Sequence, residues 1–170
     1  MISTHSKHFR LFACFVVVGA LISMPTKAYA YVNPVTGDST ARGVTRGFAP
    51  PPKPWLAGHR GVDVEAPLGA PILAAEDGVV AFVGVVAGTP VVSIDHPDGI
   101  RTTYQPVLGT VQVGADVREG QVIGTLTADT QHSEGLHWGA RPGGQQDLYL
   151  NPLSLLDAPA IRLKPTRGLV

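Results

Sequence analysis

The sequence has little of several features that would place it in a common class of protein. Of its 170 residues, 15% are charged and 6% are aromatic, and Cys14 is its single cysteine. One thiol excludes an intramolecular disulfide, so we expect burial of apolar side chains to stabilise the fold. Thirteen lysines and arginines balance thirteen aspartates and glutamates. This lacks the basic excess of proteins that bind nucleic acid, and we expect a different partner.

The first thirty residues have the layout of a secretory signal peptide. Lys7 and Arg10 lie in a basic start, the run LFACFVVVGALISM at 11–24 is uncharged, and AYA at 28–30 is the pattern that signal peptidase reads. The alternative is a membrane anchor, but a helix over that run spans about 21 Å, short of the ~30 Å hydrocarbon core. We therefore expect cleavage after residue 30, a secreted, cell-wall-associated protein, and no membrane span after processing.

Composition divides the remaining 140 residues into an arm, a single domain and a tail. Residues 31–57 are rich in proline and glycine, which favours an extended N-terminal arm anchored by Phe48 and Trp55. The domain is predicted at 58–156 and the C-terminal tail at 157–170. Cleavage would remove three basic residues and no acidic one, leaving ten basic side chains against thirteen acidic ones.

The pattern of the domain predicts an all-β fold of mostly antiparallel strands with little helix. Short β-branched runs alternate with glycine and proline turns, and no stretch from 58 to 150 has a helical period over three turns. HPDG at 96–99 predicts a hairpin turn, and LSLL at 153–156 one helical turn. The predicted strands are 71–75, 78–86, 90–96, 100–104, 122–126, 136–140 and 147–151.

The sequence HRGVD at 59–63 places a histidine and an aspartate four residues apart. On a flat strand His59 and Asp63 would point the same way but lie about 13 Å apart. That is too far for metal–ligand bonds of ~2 Å. Gly61 gives the chain freedom to bend and bring the two together. The alternative is a histidine–aspartate pair at a surface turn.

A third candidate ligand is His137, within the predicted strand at 136–140. Alternation places it on the same face as Gly135 and Gly139, which leaves open space beside the imidazole. The alternative is a core histidine hydrogen-bonded to backbone. Two histidines, one carboxylate and an open position are typical of a catalytic zinc site. We therefore predict Zn²⁺ bound by His59, Asp63 and His137.

Several motifs, in this order, resemble the LytM/lysostaphin-type peptidoglycan metallopeptidases, and the resemblance covers about 58–156. It implies a compact β-sheet fold of that type (a duplicated hybrid motif) with one zinc ion, acting on peptides of the bacterial cell wall. It also assigns His59, Asp63 and His137 to the ligand positions of the family. The motifs are HRGVD at 59–63, VVSIDHPDGIRTTY at 91–104, VGADVREGQVIG at 113–124, LHWGAR at 136–141 and NPLSLL at 151–156.

The resemblance also implies two catalytic histidines, and this chain has neither. Pro106 and Gly135 stand at the matching positions, and neither has a side chain that transfers protons. Such a group typically contributes ~10²–10⁴-fold to the rate. We therefore expect weakened or non-standard catalysis unless another group substitutes, with His132 and Tyr104 as the weak candidates.

Two functions remain open from the sequence. The protein is either a zinc-dependent cell-wall peptidase with an unusual proton-transfer group, or a non-catalytic module. Such a module would bind peptidoglycan, or regulate another cell-wall hydrolase, through the same groove. Arg101 and Arg141 could meet carboxylates of the substrate, but charged residues on sheet edges are usually only solvated.

Overall fold

The computed structural model describes residues 31–128, 135–145 and 147–156. The predicted signal peptide at 1–30, the predicted tail at 157–170 and the candidate residue His132 lie outside these residues. Among the helices within them, none is long and apolar enough to cross a membrane.

Strands dominate the described part of the chain, and the predicted all-β fold is confirmed. The HPDG hairpin and the helical turn at 153–156 are also confirmed, whereas the strand predicted at 147–151 is wrong, since only an isolated bridge forms there, between Leu150 and Ala140. The elements are β1 (Val44–Arg46), β2 (Gly61–Val64), β3 (Pro71–Leu73), β4 (Gly78–Val86), β5 (Thr89–Asp95), β6 (Ile100–Gln105), β7 (Val107–Gly109), β8 (Asp116–Val117), β9 (Val122–Leu126), β10 (Leu136–Pro142) and α1 (Leu153–Leu156).

The strands form two antiparallel sheets that bring distant parts of the chain together. The larger sheet has the order β1-β2-β10-β6-β5-β4-β8, and the smaller has the order β3-β9-β7. Strand β10 therefore lies between β2 and β6. Its register sets His137 opposite Asp63 on one side and opposite Gln105 on the other.

Alternation along the central strands separates a core face from an open face. Val62, Tyr104 and Trp138 are fully buried in one apolar cluster, together with Ile72 and Ile123 from the smaller sheet. Side chains one position away in sequence point the opposite way, because successive side chains of a strand alternate. The residues next to Val62, Tyr104 and Trp138 therefore form the open face, which carries the candidate site.

The proline-rich arm contributes to both the sheet and the core. Strand β1 lies within it and pairs with β2, and Tyr31 and Asn33 are each only 1% exposed. Phe48 is partly buried against the core, as predicted. Trp55 is 76% exposed, so its predicted role as an anchor is wrong. Tyr31, which is buried near the start of the arm, anchors the arm instead.

Tyr31 ties the arm to the hairpin between β5 and β6. Its hydroxyl donates to the Asp98 carboxylate, with oxygen–oxygen distances of 3.0 and 3.1 Å. Its ring packs edge-on against His96 with the centroids 5.1 Å apart. Burial, followed by the charge of Asp98, raises the pKa of this hydroxyl. It therefore stays protonated and remains a donor.

We predict that Tyr31→Ala lowers the free energy of unfolding by about 3–5 kcal/mol, because it leaves a cavity and removes the hydrogen bond to Asp98. The matched control is Trp55→Ala, an exposed aromatic residue of the same arm, which should change stability by less than about 0.5 kcal/mol. Urea unfolding of the purified variants measures both values. Similar small losses in the two variants would contradict an integral arm.

Candidate metal centre and substrate groove

Three potential metal ligands converge on the open face of the large sheet. His59 Nε2 lies 3.0 Å from Asp63 Oδ1 and 3.1 Å from His137 Nδ1, and His137 Nδ1 lies 2.7 Å from the same carboxylate oxygen. A tetrahedral ion with bonds of about 2.0–2.1 Å holds its ligand atoms about 3.3 Å apart. The cluster therefore fits such an ion after a slight expansion. Among the described residues, these three form the group able to hold a metal.

His59 and Asp63 meet because they do not lie on one flat strand. His59 precedes β2 and forms an isolated bridge with Ala49 of the arm, whereas Asp63 is a regular residue of β2. The chain changes direction between His59 and Asp63, which the spacing required if both side chains were to reach one ion. Their ligand atoms are consequently 3.0 Å apart, although four residues of flat strand would span about 13 Å.

The arm also orients the first histidine. His59 Nδ1 lies 2.7 Å from the carbonyl oxygen of Gly47. A carbonyl can only accept, so Nδ1 is the donor to Gly47, and Nε2 is the ring nitrogen that faces the cluster. A backbone carbonyl behind a ligating histidine is a common way of fixing its tautomer in metal sites. No local pattern indicated this role of Gly47.

Asp63 is ionised despite being 5% exposed. Burial alone would raise the pKa of this carboxyl, but hydrogen bonds and charge from His137 and His59 outweigh burial and lower the pKa below its usual value. The cluster therefore presents a carboxylate oxygen and two imidazole nitrogens at a common point. That donor set suits a divalent cation of intermediate softness such as Zn²⁺.

Two glycines face each other beside the cluster and have different roles. Gly61 of β2 and Gly139 of β10 are directly opposite in the register. A Cβ added at Gly61 would collide with the Trp138 carbonyl oxygen and lie 2.8 Å from His137 Nε2. A Cβ added at Gly139 would meet only Thr103 Cβ, at 3.8 Å. Gly61 thus makes room for the His137 ring, whereas Gly139 leaves the floor of the site open.

The cluster lies in a groove of about 830 Å³ that crosses the open face. Thr103 and Ser93 contribute polar side chains to its floor, next to Gly139. Phe82 and Val86 of β4 give it an apolar side. The groove therefore has the size and mixed polarity of a site for a peptide or another small ligand.

The weak catalytic candidate Tyr104 does not line the groove. It lies on the core face and is fully buried, and its hydroxyl accepts hydrogen bonds from the Ala75 amide at 3.0 Å and the Thr102 hydroxyl at 2.8 Å. Burial raises its pKa to about 12. The other weak candidate, His132, lies outside the described residues.

Gly135 has a backbone that no other residue adopts without strain. Its φ is +127°, and an added Cβ would collide with the Val64 carbonyl oxygen. A histidine at this position would need the chain before β10 to move. Pro106, at the other replaced position, is buried beside the end of β6.

Two further residues line the groove without having been predicted as site residues. Gln105 is opposite His137 in the register and lines the groove, and alternation from the buried Tyr104 could have identified it. Tyr149 also lines the groove, with its ring centroid 5.5 Å from Arg60 Cζ. It lies outside any strand, so no periodic signal could have placed it there.

An all-β fold thus carries a histidine–aspartate–histidine cluster in an open groove. Residues 57–152 match the model of peptidase family M23. This range is more than half of the chain, and the chain therefore belongs to peptidase family M23. The predicted resemblance to the LytM/lysostaphin-type peptidases is confirmed.

Curated relatives share the domain at substantial identity. Protein Rv2891 of Mycobacterium tuberculosis is 45% identical over 126 residues, which are 72% of this chain and 51% of that protein. The DD-carboxypeptidase/endopeptidase Mpg of Neisseria meningitidis is 39% identical over 100 residues, 57% of this chain and 22% of that protein. The chain thus spans about half of the mycobacterial relative, and less of the neisserial one.

Solved structures share the fold. A zinc-containing peptidase from Vibrio cholerae is 30% identical with a TM-score of 0.55, covering 66% of this chain and 37% of that one. The catalytic domain of the antimicrobial peptidase lysostaphin from Staphylococcus simulans is 24% identical with a TM-score of 0.57, covering 66% and 90%. A zinc-containing relative is therefore known for this family.

We predict that Gly61→Ala weakens zinc binding at least tenfold, because the new methyl group displaces the His137 imidazole from the cluster. Gly139→Ala is the matched control and should bind zinc like the parent protein. Competition with a chromophoric chelator measures both affinities, and urea unfolding of the metal-free variants separates a local effect from a global one. Equal affinities of the two variants would contradict the proposed role of Gly61.

We predict that Gly135→His does not restore catalysis and lowers the free energy of unfolding by about 1–3 kcal/mol, because of its strained backbone. Thermal unfolding and a peptide-release assay on cell walls check the two parts. A stable variant with increased turnover would show that the chain before β10 accommodates the histidine.

Proposed function

We propose that this protein is exported, binds Zn²⁺ through His59, Asp63 and His137, and acts weakly on peptides of bacterial peptidoglycan. The convergence of three ligand atoms at one place in an open groove is the observation that carries the proposal. Membership of peptidase family M23 supports the reaction type, and the LytM/lysostaphin resemblance supports the substrate class.

The chain supplies the ligands and a surface along which a peptide can lie. Zn²⁺ would be held by His59 Nε2, Asp63 Oδ1 and His137 Nδ1, and it would act as a Lewis acid that makes water a stronger nucleophile at neutral pH. The Gly47 carbonyl keeps His59 in the ligating tautomer. Gly139 lets a substrate backbone approach the sheet closely, since no side chain covers the floor there.

Weak catalysis follows from the groups that surround the cluster. Apart from His59 and His137, no histidine lines the groove within the described residues, and no glutamate does. Gln105 is next to His137 in the register, but an amide donates and accepts hydrogen bonds without carrying a proton at neutral pH. The loss of a general acid or base typically costs ~10²–10⁴-fold in rate.

A second function, a non-catalytic module, is favoured by the replacements at Pro106 and Gly135. The module would bind peptidoglycan in the same groove, or regulate another cell-wall hydrolase. The secretory pattern of residues 1–30 supports an extracytoplasmic location for both functions.

The first test is metal content. We expect the purified protein to contain about one zinc per chain and Asp63→Asn to contain little, because the carboxylate oxygen that both histidines face loses its charge. Asp116→Asn changes an exposed carboxylate on β8 and should keep the metal. Atomic absorption measures all three. Absence of zinc from the parent protein, or retention of zinc in Asp63→Asn, would contradict the proposed metal site.

The second test separates hydrolysis from binding. Purified cell walls are incubated with the zinc-loaded protein, and new free amines and co-sedimentation are measured. We expect slow amine release that His137→Ala abolishes. Co-sedimentation without release selects the non-catalytic module, and failure of both excludes peptidoglycan as the target. If release occurs, a further loss in His132→Ala would identify the proton-transfer group.

A further inference from the structure

Two arginines lie side by side in the groove, away from the metal cluster. Arg101 of β6 and Arg141 of β10 are directly opposite in the register, and both line the groove. Like charges in that arrangement destabilise an antiparallel pair unless they are offset. The position therefore needs a counter-charge, from the protein or from a ligand.

Asp95 of β5 provides one counter-charge, and Arg101 takes both of its oxygens. Arg101 Nε donates to Asp95 Oδ1 at 2.5 Å, and Nη2 donates to Oδ2 at 2.6 Å. These hydrogen bonds, followed by the charge of Arg101, lower the pKa of Asp95. Arg101 thus pairs with the one carboxylate, and Arg141, one strand further from Asp95, has donors suited to a further carboxylate.

Positive charge is concentrated in this groove although the described part of the chain is acidic. That part contains seven lysines and arginines and ten aspartates and glutamates. Four of the seven cationic side chains line the groove, whereas Asp63 is its one acidic residue within the described part. The cationic residues are Arg46, Arg60, Arg101 and Arg141. A bound divalent ion would add to this charge, so the groove suits an anionic ligand.

Arg46 and Arg60 are less suited to such a ligand. Arg46 is opposite Asp63 in the strand register, so it lies beside the metal cluster itself rather than further along the groove. Arg60 donates to the carbonyl oxygens of Pro54 and Leu56 and lies over the ring of Tyr149. Arg141 is therefore the groove arginine best placed to bind an incoming anion.

The distance between Arg141 and the metal cluster sets how many residues of a bound peptide separate the two points. Arg141 follows His137 by four residues on β10, on the same face, which is about 13 Å at ~3.3 Å per residue. Gly139 lies between them and leaves the floor open. An extended peptide along this floor covers the same distance in about four residues.

We propose that Arg141, beside the Arg101–Asp95 pair on the sheet, binds a free carboxylate of the substrate peptide about four residues from the bond held at the metal cluster. This inference rests on the proposed function and names its substrate class: cell-wall peptides that retain a free carboxylate. The guanidinium fork of Arg141 binds both carboxylate oxygens, a geometry that lysine does not reproduce.

The test compares two synthetic cell-wall stem peptides, one with free carboxylates and one with every carboxylate amidated. Calorimetry on the zinc-loaded protein measures both dissociation constants. We expect the free-carboxylate peptide to bind at least about tenfold tighter, because the free energy of a hydrogen bond to a charged group corresponds to about that factor in the dissociation constant. Peptides amidated at the α-carboxyl alone or at a side chain alone identify the carboxylate that Arg141 binds.

In Arg141→Gln the preference for the free carboxylate should fall to within about twofold, and Arg141→Lys should restore only part of it. The control is Arg118→Gln, a loss of one positive charge at an exposed residue outside the groove, and it should keep the full preference. Near-ultraviolet circular dichroism confirms that each variant is folded.

The outcomes separate this inference from the proposed function. Equal binding of both peptides by the parent protein, or an unchanged preference in Arg141→Gln, overturns the carboxylate site and leaves the proposed function standing. An equal loss of preference in Arg118→Gln also overturns it, since net charge would then explain the effect. Failure of every peptide to bind overturns both.

Discussion

The pairing of β10 with β2 is the constraint on which the site depends. It brings His137 within 2.7 Å of Asp63, across 74 residues of sequence. The same pairing sets Gly61 opposite Gly139, which gives the imidazole its space on one side and the groove its open floor on the other. A slip of one residue in this register would turn His137 toward the core and Trp138 toward the groove. The apolar core therefore holds the ligand cluster in place.

The N-terminal arm contributes both to the stability of the fold and to the geometry of the candidate metal site. Tyr31 is buried against the hairpin that joins β5 and β6, and Gly47 fixes the tautomer of His59 from behind. Residues outside the matched family region thus hold one ligand of the cluster in its ligating form. Positioning by rigid neighbours is what a metal site needs, because small displacements of a ligand atom weaken coordination.

The departures from the family pattern affect the residues expected to transfer protons and not the candidate metal ligands or the groove. The histidine–aspartate–histidine cluster, the open floor and the cationic part of the groove are all present, whereas Pro106 and Gly135 stand where the family resemblance implies proton-transfer groups. Gly135 has a backbone conformation that excludes a histidine without movement of the chain. These features agree with the proposed binding of a metal and a peptide and with the proposed weak catalysis. Selectivity for an anionic peptide would be useful to either a slow peptidase or a binding module.

Local sequence determined the strands and turns, because alternation of side chains and turn residues act over a few neighbours. β4 and β9 have the predicted bounds, and alternation alone put Trp138 and His137 on opposite faces. Local sequence did not determine the roles of Tyr104, Trp55, Gly47 or Tyr149. The motif placed Tyr104 near the site, but the sheet turns it into the core. Only tertiary structure decided these positions, since each depends on which distant strand or loop packs beside the residue, and pairing across many residues leaves no local periodic signal.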